Sequence, residues 1–140
     1  MKNSRDRGRL KGGMFIAVPD KIKNEIKDIS PSYWRIQAIN INIQNSRILV
    51  INSYFPTDPG AVRIDETELL ETLQSIRQVI DESDFNDVFW LGDINADFLR
   101  RTGHVNCVRN FVEEYHFNKA WDRFHIDFTH YQEFGSYFLE

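Results

Sequence analysis

A mixed α/β fold is predicted by three observations on apolar spacing. Ile48-Leu49-Val50-Ile51 and Val88-Phe89-Trp90-Leu91 are apolar at successive positions, the pattern of strands buried on both faces. Between them Leu69, Leu73, Ile76 and Ile80 recur at helical spacing, with Leu70 and Val79 widening the stripe. Ahead of both, Ile39, Ile41 and Ile43 alternate with Asn40, Asn42 and Gln44, which describes a strand with one wet face. Strand, helix and strand in that order make a parallel crossover, and the alternating strand adds an antiparallel hairpin.

The 140 residues are read as one domain, long enough to bury a core. A composition of 41% hydrophobic and 14% aromatic residues excludes a disordered chain. No apolar run is long enough to span a membrane, and Met14 to Val18 is too short for a signal sequence. The single cysteine, Cys107, rules out an intrachain disulfide and a cysteine-based zinc cluster, so an intracellular setting is expected. Charge is uneven: Lys2, Arg5, Arg7, Arg9 and Lys11 stand against Asp6 alone in residues 1 to 12, a net +4, which leaves the rest at −8. Such an arm either contacts phosphates without sequence preference or is simply a solvated terminus.

Taken in order, Gly12-Gly13 feeds a short buried strand over Met14 to Val18, ended by Pro19-Asp20, and Lys21 to Asp28 is a loop or edge segment. Residues 35 to 54 form a hairpin turned at Asn45-Ser46, with Arg47 to Tyr54 as its deeper strand. Pro56 cannot donate to a ladder and ends that strand. Thr57-Asp58-Pro59-Gly60 is a turn cluster. Residues 65 to 83 form a surface helix opened by Asp65 and Glu68 in a capping-box arrangement, with Glu66, Glu71, Thr72, Gln74, Arg77 and Gln78 mostly outside its apolar stripe. Residues 87 to 91 form a central strand. Leu99 to His104 is an exposed loop, Val108, Phe111, Val112 and Tyr115 mark a short helix, and Ile126 to Thr129 has strand character.

Chemistry concentrates after the second apolar run. Gly92 permits a sharp turn, and Asp93, Asn95 and Asp97 at alternate positions would project to one side of an extended backbone. Carboxyl ends of strands are where α/β sheets hold ligands, and a carboxylate beside an apolar strand needs a donor, a cation or water. The plainer reading is that Gly-Asp ends a strand and Asn95 or Asp97 caps a turn. Tyr54 falls on the same side as Asp93 if the two strands are parallel; otherwise it is a half-buried aromatic at a strand end. His104, His116, His125 and His130 lack a ligand spacing and are read as surface or capping residues.

Asn52-Ser53-Tyr54-Phe55-Pro56, then a helix, then Gly92-Asp93-Ile94-Asn95-Ala96-Asp97, resembles the endonuclease/exonuclease/phosphatase superfamily, and within it the endonuclease domains of non-LTR retrotransposon polyproteins. Gly8-Arg9-Leu10-Lys11-Gly12-Gly13 resembles the turn that precedes a strand in those domains. The resemblance implies an α/β sandwich of two mixed sheets with covering helices, and hydrolysis of phosphodiester or phosphomonoester bonds with magnesium, or manganese in its place. It implies that Asp93 aligns or activates water, that Asn95 orients the phosphate or Asp93, and that Tyr54 donates to a phosphate oxygen. Asp93 and Asn95 would be the metal-facing pair. Asn52, Thr57, Arg9 and Arg100 would face substrate, with Thr57 standing where relatives carry Asn or His.

The family's amino-terminal Asn, its Gln-Glu glutamate and its closing Ser-Asp-His are not clearly present, although Glu140 falls near the last Asp. The resemblance covers only the middle of that domain, so a fold partial at both ends is expected, with exposed edges that promote self-association. Two function classes follow: the central part of a metal-dependent DNA endonuclease, nuclear in location, or a non-catalytic remnant that at most binds nucleic acid. DNA as substrate rests on the retrotransposon resemblance alone.

Overall fold

The structure, a computed structural model, describes residues 13–58, 66–118, 130–133 and 136–139. It divides into two compact units, Met1–Pro56 with Asp65–Asn95, and Thr57–Ile64 with Ala96–Glu140. The basic arm with Arg9, the Asp65 helix cap, the strand expected over 126–129, His125 and Glu140 all lie outside the described residues.

The first unit is a four-stranded mixed sheet in the order β1 (Ile26–Asp28), β2 (Ile36–Ile43), β3 (Ser46–Tyr54) and β4 (Asp87–Asp93), with helix α1 (Thr67–Glu82) between β3 and β4 in sequence. β1, β2 and β3 pair antiparallel, and β4 joins β3 in parallel. The β2–β3 turn is Gln44-Asn45, one residue earlier than expected, with Gln44 at φ 53°. A 3-10 helix, Asp20–Glu25, precedes β1, so the irregular stretch does end in an edge strand.

α1 packs against β2 and buries Leu69, Thr72, Leu73, Ile76, Val79 and Ile80. Along β3 the alternate residues Leu49, Ile51 and Ser53 are buried, and through the register they share a face with Ile36 and Ala38, also buried. Each fully buried aliphatic side chain contributes about 1.5–3 kcal/mol by leaving water, so this layer is the core of the unit. Thr72 is buried in place of Leu70, which is 53% exposed, because its hydroxyl donates to the Glu68 carbonyl at 2.6 Å and so needs no water.

Four expectations are corrected. β4 pairs only with β3, making it an edge among the described residues, and its burial alternates: Phe89 is 55% and Leu91 54% exposed. An unbroken apolar run signals burial on both faces only where both are covered, and α1 covers one. Met14 to Val18 forms no strand, and Phe15 stands exposed. The Asn40 side of β2 is not a wet face throughout, since Ile36 and Ala38 on it are buried. Finally, α1 has Glu66 at its N-cap without a side-chain cap; Glu68, expected to cap, pairs with Arg35 at 2.8 Å instead.

The second unit contains α2 (Gly103–Glu114) and the antiparallel hairpin β5 (His130–Glu133) and β6 (Ser136–Leu139). The Thr102 hydroxyl caps α2 by accepting from the Val105 N–H at 3.2 Å, and donates to Asp58 at 2.8 Å. The helix therefore begins inside the expected loop, and His104 is buried with Val105, Val108 and Phe111.

Candidate active site

Two parallel strands end together. In the β3–β4 register Tyr54 is opposite Asp93, Ser53 opposite Gly92 and Asn52 opposite Leu91. Register partners project to the same side of a sheet, so Tyr54, Asp93, Asn52 and Leu91 share the face that α1 does not cover. The pairing continues past the strand ends, where the Phe55 N–H donates to the Asp93 carbonyl at 2.8 Å.

Gly92 is required by a close approach more than by a turn. It lies within β4 at φ 116°, and a Cβ there would stand 2.0 Å from the Ser53 carbonyl oxygen and 2.9 Å from Asn52 Oδ1. Only glycine lets the two strands approach at this point. Asn52 thus packs over Gly92 and donates to the Phe15 carbonyl at 3.5 Å.

After Asp93 the chain turns through Asn95, which adopts the left-handed conformation at φ 47° that asparagine tolerates. Its N–H donates to Asp93 Oδ1 at 3.1 Å, and its Nδ2 donates to the Phe55 carbonyl at 2.9 Å. Asn95 therefore locks one oxygen of the exposed Asp93 carboxylate and ties the loop to the end of β3. Asp93 ends β4 but Asn95 is not extended, so Asp93, Asn95 and Asp97 do not alternate on one side as a strand would. Asp97 fulfils the plainer reading, accepting from the Leu99 N–H at 2.9 Å and pairing with Arg100 at 3.2 Å.

Tyr54 is 42% exposed, and its hydroxyl has no protein partner among the described residues. A neighbour that the sequence did not reveal holds it. Arg35, 7% exposed, donates from Nη1 to the Tyr54 carbonyl at 3.1 Å, bonds Glu68 from Nη2 at 2.8 Å, and lies 5.5 Å over the Tyr54 ring. Arg35 sits in a turn just before β2, where no periodicity marks it. The other proposed substrate groups, Thr57 and Arg100, belong to the second unit and are exposed.

The described residues fit a magnesium ion poorly. Magnesium needs an octahedron of oxygens, usually with one or two carboxylates, and among these residues no group of three His, Cys, Asp or Glu side chains could hold a metal. Asp93 offers one committed and one uncommitted carboxylate oxygen. His104 Nε2 is buried without a hydrogen-bond partner, apart from any such group. No helix among the described residues is long and apolar enough to cross a membrane, and Cys107 forms no disulfide among them. No family model matches the chain, and no curated protein or solved structure matches it.

Proposed function

We propose that the Tyr54–Asp93–Asn95 corner is part of the active site of a metal-dependent phosphodiester hydrolase acting on nucleic acid, DNA in the first instance, within an α/β sandwich of the endonuclease/exonuclease/phosphatase kind. The observation that carries this reading is the register pairing of Tyr54 with Asp93 at the carboxyl ends of parallel strands. It sets a phenol donor beside a carboxylate whose orientation is fixed by the Asn95 N–H. In that arrangement Asp93 aligns a water and takes its proton, Tyr54 donates to a non-bridging phosphate oxygen, and Asn95 holds Asp93. Of the two roles open to Asn95, the orienting one is supported, because its amide nitrogen is already bonded to Phe55.

A second reading is supported by the poor metal fit. With a single carboxylate at the corner among the described residues and no group of three metal-ligating side chains there, the alternative is a non-catalytic remnant that at most binds nucleic acid. Incubation of supercoiled DNA and magnesium with the chain, and with a longer protein that contains it and supplies further carboxylates, separates the two. Chelator-sensitive nicking by the longer protein alone fits the proposal. Absence of nicking from both leaves the fragment reading.

A further inference from the structure

Trp34, 51% exposed, is the most solvent-accessible of the described tryptophans, and its ring packs against Arg35. One face of its indole is covered by the Arg35 guanidinium, 4.2 Å from the ring centroid. That guanidinium is fixed in turn by Glu68, by the Tyr54 carbonyl and by packing on the Tyr54 ring. The turn carrying both residues is closed by the Ile36 N–H to the Tyr33 carbonyl at 3.0 Å. The Arg35 guanidinium thus lies against both the indole and the phenol, the indole remaining half exposed and the phenol belonging to the candidate active site.

We propose that the outer face of Trp34 takes an unstacked nucleobase of a single-stranded nucleic acid whose phosphate lies at Tyr54. This rests on the nucleic-acid reading given above and adds a base-binding position to it. An aromatic ring already packed against a side chain loses little conformational freedom on stacking, and any base offers it a π surface. Arg35 polarises the indole from behind, while its charge is shared with Glu68, so the contact is stacking and not phosphate neutralisation. An acidic body repels phosphates, and a neutral stacking position is a contact that such a surface can still offer.

The test is a titration of the 140-residue chain with a short single-stranded oligothymidylate and with an abasic oligonucleotide of equal length and charge, followed by tryptophan fluorescence and anisotropy. Expected are quenching by the base-bearing strand, affinity roughly tenfold above the abasic strand at every salt concentration, loss of that difference in Trp34→Ala, and partial retention in Trp34→Phe. The comparison in the unaltered protein needs no variant to fold. Equal affinity for both strands, or a difference that survives Trp34→Ala, overturns the base position and leaves the nucleic-acid reading standing. Failure of both strands to bind overturns both.

Discussion

Tyr54 and Asp93 face each other across the last rung of a parallel pair, Cα to Cα in register, on the sheet face that the helix leaves uncovered. Three features converge on that rung: a proline at position 56 that ends β3, a glycine that lets the strands close, and an asparagine that turns the chain back onto Phe55. Tyr54 is fixed from the other side by the buried Arg35. The corner is therefore built from backbone geometry first and side-chain chemistry second.

The tightest of those features is the Gly92–Ser53 approach. Gly92→Ala combines a left-handed φ with a Cβ at 2.0 Å from a backbone oxygen, which a flexible side chain cannot relieve. It is expected to cost about 3 kcal/mol or more, from strain and overpacking together. Urea unfolding checks this, and a loss below about 0.5 kcal/mol, the range of a neutral surface substitution, would show that the approach is not held.

The uncovered sheet face makes a prediction about association. Phe89 and Leu91 are each more than half exposed on β4, which has no partner on its far side among the described residues. Exposed apolar side chains on an unpaired edge favour self-association. Sedimentation is expected to show concentration-dependent oligomers that the Phe89→Ser, Leu91→Ser double variant reduces. A monomer over the whole concentration range would contradict it.

Much of this was legible in the sequence, and the failures have physical causes. The hairpin, α1 and the parallel strand were readable because each has a clean period of two, of 3.6, or of unbroken apolarity. The edge position of β4 was not, because an apolar run reports what a strand can bury and not what covers it. The Tyr54–Asp93 pairing followed from two motif ends and a parallel crossover. Arg35 and Trp34 escaped because a turn has no period, and the burial of His104 because Gly103 begins a helix where a loop was read.

A pH effect is expected at the edge strand. The Ser30 side chain, and then its N–H at 2.9 Å, hold the Asp28 carboxyl below its ordinary value. A lowered folded value means that this stabilisation is present above the ordinary aspartate value of about 3.9 and is lost as pH falls through the folded one. Ser30→Ala should therefore move the NMR titration of Asp28 upward. Its stability deficit should narrow in acid without vanishing, because Ser30 Oγ also accepts from the Ala38 N–H at 3.0 Å. An unmoved titration would contradict the assignment.

Magnesium-dependent nicking of supercoiled DNA by a longer protein containing this sequence, compared with its Asp93→Asn variant, bears most directly on the phosphodiesterase reading. Asn95 would still lie beside the replaced side chain, so the fold and its near-ultraviolet circular dichroism should persist. The nicking rate should fall by about 10² to 10⁴, the contribution of a positioned general base. An Asp93→Asn protein that nicks at the unaltered rate, with the fold intact, would contradict the role of Asp93 and with it the proposed site.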